Sequence, residues 1–463
     1  MTEEWASSFT VAEAAHAEFA RLSGDSNPLH TDAIVARRLP FGRVAVHGIH
    51  LVLVALEHLA VQDPRSPHRI RCTFRRSIGP GDQIRVSCRR LADDEVGIIL
   101  EHDVWTIADL RVQLDGEPRR DPHPVDTDAP VSSTPRTPTP DEMATSDGSI
   151  AVHADLSVVH SRFPHAARSL GSQGIAELIT LTRLVGMYVP GLHSMFSSFD
   201  VAFDVATESG PALRYRTRRS DDRFSKLVLD VAAGHLSGSV TAFVRPPPVE
   251  PTIGTTLPAP DAFAGQRWLV VGGSRGLGAT AVMLLAAGGA DVRLTYRLGS
   301  DDAARVAAAA GATAHEFDVS TPNRLNALLA DGWHPTHVGY FASPPIFDGA
   351  RGVYSHELER RFHAIYVDAF EAVLDRLDVD RLVGVLWPSS TAIERDTPGL
   401  AEYAAVKRLG ETFCEELERR HPHLCVSAPR LPRLLTDQTT SIVPVDVDDA
   451  ATTVLRALEV FSG

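Results

Sequence analysis

The sequence of 463 residues predicts two kinds of fold in one chain: a duplicated α+β unit, and after it an α/β unit built on a parallel, doubly wound sheet. Two segments each combine a long apolar helix with several strand-like stretches, which indicates the α+β unit and its repetition. The last segment alternates short apolar strands with alanine-rich helices, a rhythm typical of a parallel sheet.

Two proline-rich stretches divide the chain into three segments of domain size. Seven prolines lie between Pro118 and Pro140, and six lie between Pro246 and Pro260. Because proline fixes φ and lacks an N–H group, we expect both stretches to be extended linkers. The predicted organisation is domain 1–117, linker 118–147, domain 148–245, linker 246–261 and domain 262–463.

The composition limits the classes of protein to which this chain can belong. An apolar content of 44% supports packed cores, and a formal charge of −14 argues against a nucleic-acid surface. The four cysteines form no C-x-x-C pair and are predicted to be reduced thiols. The start MTEEWASSFT resembles no export leader, and the run IHLVLVALEHLAV is too short to cross a bilayer. We therefore expect a cytoplasmic protein whose partners include neither nucleic acid nor membrane.

The first two segments resemble each other around their apolar helices. Residues 36–60 and 167–186 each place Ala-Arg and a leucine ahead of a polar residue and Gly-Ile, and a long apolar run follows. A helix that is apolar nearly all round belongs in a core. Strand-like stretches follow both runs, so the pattern predicts a duplicated unit, with chance similarity between two helices as the alternative.

The stretch GDSNPLH, residues 24–30, holds a carboxylate and an imidazole at a fixed spacing. Asp25 and His30 lie five residues apart, and the proline between them fixes the turn. A carboxylate and an imidazole around one water can activate it for attack and return a proton to carbon. Downstream, Gly48 opens the buried helix, whose free N–H groups could bind a thioester oxygen. These are the groups needed to add water to an enoyl thioester or to remove it.

The stretch FARLSGDSNPLHTDAIVARRLPFGRVAVHGIH resembles the signature of MaoC-like, R-specific enoyl thioester hydratases and dehydratases, which have the hotdog fold. The likeness covers roughly residues 9–115, and the alternative is a polar N-cap before a helix. The resemblance implies that Asp25 and His30 are catalytic and that the Gly48 amide is the oxyanion donor. It also implies substrate contacts from Asn27 and His47.

By the same resemblance, the duplicated unit would be an α+β double hotdog. The second copy lacks GDSNPLH, and its Asp155 and His160, again five apart, have no Asn-Pro between them. We interpret this pair as coincidence or a relic. The run VGMYVPGLHSMFSS, with His193, is unusual and suggests no mechanism. We expect the second copy to complete the first and to shape its acyl tunnel.

The stretch GGSRGLG, residues 272–278, follows the apolar strand RWLVV and opens a helix. In that position glycines let the backbone approach a pyrophosphate, and the helix N-terminus favours its charge. Arg297 replaces the acid that an NAD site has at the end of the next strand, and with Arg275 it could bind a 2′-phosphate, which favours NADPH. The predicted cofactor-binding residues are Gly272, Ser274, Arg275, Gly276, Leu277, Gly278, Arg297, Asp318 and Val319.

Ser390, Tyr403 and Lys407 complete an ordered set that resembles the short-chain dehydrogenase/reductase family over residues 265 to about 440. The likeness implies an α/β Rossmann-type doubly wound parallel sheet, with these three residues catalytic and a hydride from NADPH. A lysine near the tyrosine is expected to lower its pKa, so that the tyrosine can protonate a carbonyl. Three departures stand out: YFAS at 340–343 in place of Asn-Asn-Ala-Gly, Tyr366 in place of the proton-relay asparagine, and Pro429-Arg430 in place of Pro-Gly.

Together the two motif sets predict a bifunctional enzyme of polyketide or fatty-acyl biosynthesis. An NADPH-dependent 3-oxoacyl thioester reductase would make the substrate of a 3-hydroxyacyl thioester dehydratase, with the acyl group on coenzyme A or a carrier protein. Two alternatives stay open: a hydratase with a non-catalytic NADP-binding domain, and a non-catalytic carrier-protein docking or scaffold module. No metal is expected, and the oligomeric state, a homodimer included, is left open.

Overall fold

The structure, a computed structural model, describes residues 4–39, 41–115, 133–203, 212–395, 397–442 and 445–462. These residues fall into two units, Met1–Pro247 with Ser441–Pro444, and Pro248–Thr440 with Val445–Gly463. All four cysteines are free thiols. Within the described ranges, no helix combines the length and the apolar character that crossing a membrane requires.

Ten antiparallel strands form one sheet in the first unit. They are β1 Glu4–Thr10, β2 Ser66–Phe74, β3 Gln83–Ala92, β4 Glu95–His102, β5 Trp105–Asp115, β6 Asp147–Ala151, β7 Ser194–Phe203, β8 Ala212–Asp221, β9 Lys226–Ala232 and β10 Leu236–Val244. Their order is β1-β3-β4-β5-β2-β7-β10-β9-β8-β6, so β2 and β7 meet at the centre. Each half of the sheet has its first strand at the outer edge and its second strand at the centre. The same strand order therefore occurs twice.

Two long helices occupy equivalent places in the two halves, each between the first and second strands of its half. The helices of this unit are α1 Glu13–Ser23, α2 Pro28–Thr31, α3 Ala33–Ala36, α4 Gly48–Gln62, α5 Pro140–Ala144, α6 Leu156–Arg162, α7 Pro164–Leu170 and α8 Ser172–Arg183. Every residue of α8 is buried, and most of α4 is buried as well. Both helices pack into one apolar core that the sheet shares. The prediction of buried apolar helices is confirmed.

The end of the predicted linker 118–147 is not extended, and that part of the prediction is wrong. Thr139 and Glu142 form a reciprocal capping box that starts α5, with Pro140 in the first helical position, where its missing N–H costs nothing. β6 then begins at Asp147 and pairs with β8. Residues 118–132 of this linker lie outside the described residues. The linker 246–261, which is described throughout, has no helix or strand.

The second unit contains the parallel sheet that the sequence predicts. Its strands are β11 Arg267–Val271, β12 Asp291–Tyr296, β13 Thr313–Glu316, β14 His337–Tyr340, β15 Gly384–Leu386, β16 Ser389–Ser390, β17 Cys425–Ser427 and β18 Arg430–Leu431. Six of them form a sheet in the order β13-β12-β11-β14-β15-β17, and every neighbouring pair is parallel. From β11, the next strands in the chain are added on one side, and from β14 onward they are added on the other side. Open α/β sheets bind ligands at the point where this change of side occurs.

The helices of the second unit lie between strands in the chain, except the last one, which follows β18. They are α9 Gly276–Ala287, α10 Ser300–Ala310, α11 Leu325–Leu328, α12 His356–His363, α13 Ala369–Leu374, α14 Ala401–Arg420 and α15 Ala450–Leu458. A π-helical turn, Ala364–Asp368, joins α12 to α13. Two apolar clusters fill the space between helices and sheet.

We predict that apolar burial, rather than the surface ion pairs, holds the two halves of the first unit together. Ile70 and Val201 face each other across β2 and β7, and both are fully buried. Ile70→Ala should lower the free energy of unfolding by about 2–5 kcal/mol. The side chain of Asp200 is 38% exposed and binds Arg69 on the same strand pair. Asp200→Asn should lower the free energy of unfolding by under about 1 kcal/mol. Urea unfolding of the full-length variants checks this, and equal losses would contradict it.

Candidate active sites

Asp25 lies in the turn between α1 and α2, and its side chain is almost completely buried. Asn27 N donates to Asp25 Oδ1 at 3.2 Å, and Ser23 Oγ accepts from Asp25 N at 3.2 Å. Only 1% of the residue is exposed, and this burial raises the pKa of the Asp25 carboxyl. The carboxylate is therefore a stronger base than one at the surface.

His30, in the short helix α2 that follows this turn, lies beside Asp25 and His47. Its Nδ1 is 2.7 Å from Ala45 O, and because a carbonyl only accepts, Nδ1 carries the proton. In the neutral ring, Nε2 then has a free lone pair. The His30 ring stacks on His47 with the ring centroids 3.8 Å apart. Asp25 and His30, predicted as a pair, and His47, predicted to contact substrate, therefore lie in one site.

His47, the residue before α4, contacts the turn that holds Asp25. Its Nε2 donates to the backbone oxygen of Asp25 at 3.0 Å and lies 3.8 Å from Asp25 Oδ2. Burial holds the pKa of His47 well below its ordinary value, so the ring is neutral. A neutral ring donating to a backbone oxygen positions Asp25 without adding a charge to the site.

Gly48 is the first residue of α4, and its glycine identity has a steric cause. A Cβ atom at this position would lie 2.7 Å from the ring of Phe74 on β2. The N–H groups of a first helical turn have no partner within the helix, and His47, the residue before this turn, lies with Asp25 and His30. The predicted oxyanion donor therefore lies at a helix start that directly follows His47.

Asp25, His30 and His47 also form a group with metal-ligand spacing. One ligand atom from each lies within 4.8 Å of the others. Nε2 of His47 is already used by the backbone of Asp25, so an ion would have to break that hydrogen bond or use the buried Nδ1. The expectation that no metal is needed stays a prediction.

The second half of the unit supplies residues to this site that the sequence did not identify. Thr182 Oγ1 donates to Asp25 Oδ2 at 2.8 Å, and Asn27 Nδ2 donates to the backbone oxygens of Gly186 and Gly191 at 2.9 and 3.1 Å. These residues belong to α8 and to the turns that follow it, Leu184–Tyr188 and Gly191–His193. The sequence indicated these residues only through the unusual run VGMYVPGLH. Gly186 and Gly191 of this run accept the hydrogen bonds from Asn27.

Asp155 and His160 form no such site in the second half. The Asp155 side chain caps α6 by accepting from the N–H groups of Ser157 and Val158 at 2.9 and 3.3 Å. His160 Nε2 lies 3.1 Å from Ser172 Oγ. The interpretation of this pair as coincidence or relic fits a helix cap, which is a structural role.

In the second unit, the glycine-rich loop joins β11 to α9 beside the end of β14. Gly272 has φ of +82°, and a Cβ there would lie 2.8 Å from Ala342 N. A Cβ on Gly278 would lie 2.2 Å from Gly272 O, so the loop folds closely on the helix. No side chain caps the start of α9, which leaves its N–H groups available for a pyrophosphate. This loop fits the predicted dinucleotide.

The other predicted cofactor residues surround this loop or follow the next strands. Arg275 forms an ion pair with Asp437 at 3.5 Å, and Arg297 is exposed directly after β12. Asp318 accepts from Ser320 N and Oγ at 2.9 and 2.8 Å. Ser274 is buried, Leu277 and Val319 are partly buried against the core, and Gly276 opens α9. Their roles toward a cofactor stay predictions.

Ser390, Tyr403 and Lys407 lie together, but Lys407 does not have the expected surroundings. Its Nζ donates to Pro388 O at 2.8 Å and lies 4.0 Å from the Tyr366 ring centroid, 4.1 Å from that of Trp387 and 5.8 Å from that of Tyr403. The three rings surround a buried ammonium group. Tyr366, at the place of the relay asparagine, reaches Ser343 of YFAS with the two hydroxyl oxygens 2.6 Å apart.

The electrostatics of this cluster differ from the expectation that Lys407 lowers the pKa of Tyr403. Burial raises the pKa of Tyr403 to about 12, and a hydrogen bond with Ser390 opposes that rise. Burial also lowers the pKa of Lys407 to about 7. The expectation is wrong for this state of the protein, because spacing along a helix says nothing about desolvation, which is the largest effect on both groups.

This chain is similar to one protein-family model and to several individual proteins. Residues 3–101 match the family model of the MaoC like domain. The cyclic-di-GMP-binding biofilm dispersal mediator protein of Escherichia coli K12 is 28% identical over 191 residues, which are 40% of this chain and 76% of that protein. A short-chain dehydrogenase/reductase of Serratia marcescens covers 44% of this chain and 92% of its own at 18% identity, with a TM-score of 0.40. An NADP-bound short-chain dehydrogenase from Shigella flexneri gives the same identity and TM-score.

The buried ammonium of Lys407 predicts a pH-dependent stability. Below about pH 7 the folded and unfolded chains both hold this proton, so the folded state bears the full cost of burying the charge. As the pH rises from about 7 toward 10.5, only the unfolded chain holds it, and stability increases. Lys407→Met should lose this increase between pH 6.5 and 9 in urea unfolding. Lys226→Met, at an exposed lysine, is the control and should keep the wild-type slope.

Proposed function

We propose that this chain, which carries a MaoC-like domain at residues 3–101, adds water to an enoyl thioester or removes it, and also reduces a 3-oxoacyl thioester with NADPH. One observation carries the proposal: the buried carboxylate of Asp25 lies with His30 beside the first turn of α4. We further propose that the second half of the first unit is a second hotdog, which its identical strand order supports.

The geometry of the first site supports a defined course for hydration. A water that hydrogen-bonds to Nε2 of His30 transfers a proton to the Asp25 carboxylate while its oxygen bonds to the β-carbon. The negative charge that develops on the thioester oxygen is stabilised by the N–H of Gly48. The Asp25 carboxyl then delivers its proton to the α-carbon and is regenerated, and dehydration follows the same steps in reverse.

The second unit would reduce the 3-oxo group from which the hydroxyacyl substrate is made. NADPH, held by the glycine-rich loop with Arg275 and Arg297, would supply the hydride when bound. Tyr403 would donate the proton to the carbonyl oxygen, and Ser390 would hydrogen-bond that oxygen. The raised pKa of Tyr403 keeps its proton in place before the reaction.

Joining the two activities would raise the local concentration of the shared intermediate. The acyl group would be carried by coenzyme A or by the phosphopantetheine arm of a carrier protein, in polyketide or fatty-acyl biosynthesis. A cytoplasmic location accompanies this proposal, since its thioester substrates and NADPH are cytoplasmic compounds.

A second candidate function is a hydratase whose second unit binds NADPH without catalysis. The surroundings of Lys407 favour it, because a lysine held among Tyr366, Trp387 and Tyr403 is occupied by the protein itself. Tyr366 also replaces the asparagine expected to relay protons. The two candidates share the first site and differ only in whether NADPH is oxidised.

Hydration should depend on the carboxylate and imidazole of the first site. With a short 2-enoyl thioester on coenzyme A or carrier protein, Asp25→Asn and His30→Gln should each lower the rate about 100-fold or more, because the water loses its base or its second partner. Loss of absorbance of the conjugated thioester measures the rate. Asp155→Asn changes the carboxylate of the unused pair and should leave it unchanged. The proposal would be refuted if wild-type protein hydrated the enoyl thioester neither on coenzyme A nor on carrier protein.

Reduction should require Tyr403 and prefer NADPH. An acetoacetyl thioester and NADPH should give hydroxyacyl product by mass, and Tyr403→Phe should stop this while NADPH still binds. Arg297→Ala should weaken NADPH binding about 10-fold or more, because the 2′-phosphate loses its guanidinium partner. NADH has no 2′-phosphate, so its binding should be unchanged. Binding of NADPH without oxidation on either carrier would favour the hydratase with a non-catalytic second unit.

A further inference from the structure

The half of the first unit that lacks GDSNPLH contacts the catalytic carboxylate directly. Thr182 lies on α8, 157 residues along the chain from Asp25, and is 3% exposed. Gly186 lies on the turn that follows α8. Gly186 has no side chain that could transfer a proton, and the Thr182 hydroxyl already donates to Asp25 Oδ2, so both contacts are consistent with a role other than acid–base catalysis.

We propose that Thr182 is a positioning residue for hydration and that Gly186 provides the space in which the Asp25 carboxylate is held. The proposal rests on the hydratase function described above. It assigns to the second half a task other than catalysis: fixing the orientation of the first half's base.

The hydrogen bonds to the two carboxylate oxygens fix the plane of the Asp25 side chain. Oδ1 accepts from Asn27 N at 3.2 Å, and Oδ2 accepts from Thr182 Oγ1 at 2.8 Å. The first donor belongs to the catalytic turn itself, whereas the second comes from α8. Without Thr182 only one oxygen would have a donor, and the carboxylate could rotate about its last bond.

Gly186 closes the remaining side of the carboxylate. A Cβ at this position would lie 2.2 Å from Asp25 Oδ1 and 2.5 Å from Oδ2, so any side chain here would displace the base. The backbone oxygen of the same residue accepts from Asn27 Nδ2 at 2.9 Å. The turn therefore holds the catalytic loop through its backbone while leaving room for the carboxylate.

The charged and titratable groups around Asp25 determine how the loss of Thr182 would act. Burial raises the pKa of Asp25, while His30 in its protonated form, the hydroxyl of Thr182 and the charge of Arg183 oppose that rise. His47 also faces the carboxylate but is neutral. Removing the hydroxyl would raise the pKa of Asp25 further. Since hydration needs the ionised base, the acidic limb of the pH profile would move to higher pH.

Thr182→Val in the full-length chain tests the proposal, because valine keeps the shape and removes the hydroxyl. We expect kcat for hydration to fall about 10- to 100-fold, since a hydrogen bond to a charged group is lost, with KM within about twofold. The acidic limb of kcat/KM should move to higher pH. Thr182→Ser should restore both readouts, and Thr182→Ala replaces the valine variant if that one does not fold by circular dichroism.

Thr180→Val is the matched control. Thr180 is fully buried on the same helix, and its hydroxyl donates to Ala176 O and accepts from Arg183 Nη2 at 3.3 Å, so it does not contact Asp25 and its loss leaves the charge of Arg183 unchanged. It should leave the acidic limb in place even if it lowers stability. A wild-type pH profile in Thr182→Val, with active wild-type enzyme, would overturn the positioning role alone. Wild-type protein without hydration activity would instead overturn the proposed function on which this role rests.

Discussion

The first unit is organised around one carboxylate that is kept out of water. An ionised group at 1% exposure is stable only where hydrogen bonds replace its hydration, and the donors to Asp25 come from both halves of the unit. The halves meet at the central strands β2 and β7 of one sheet, and α8, which carries Thr182, is buried along its whole length. The same exclusion of water gives the carboxylate the basicity that the proposed chemistry uses.

In the second unit, a buried cation presents the corresponding problem and receives a different solution. Lys407 has one strong acceptor, the oxygen of Pro388, and three aromatic faces. Aromatic faces stabilise a cation but cannot replace a full set of hydrogen bonds, so its pKa remains depressed. Tyr366 places its ring against Lys407 and its hydroxyl beside Ser343. A tyrosine at the position predicted for an asparagine therefore changes both the packing around the lysine and the hydrogen bonds of the site.

The features that the sequence predicted well depend on local pattern. The helix α4 and the strand–glycine loop–helix of the second unit have strong periodicity and motifs, and both occur where expected. The alternating arginines of β8 face solvent and give this strand little apolar character, so its sequence is a weak strand signal. The contact of Thr182 with Asp25 could not be predicted, because no local pattern encodes a hydrogen bond between residues 157 positions apart. The pKa values in the second unit were missed for a related reason, since they depend on burial.

The continuous sheet has a consequence for how the first unit could change over time. A symmetric pair of identical chains carries every substitution twice, so a change that helps one site must be tolerated in the other. When β2 and β7 join two halves of one chain, each half mutates independently. One half can therefore hold the Asp25–His30 turn, while the other, which has no GDSNPLH, supplies a hydrogen-bond donor to it. The asymmetry around Asp25, with the carboxylate on one half and a donor to it on the other, requires two halves that mutate independently.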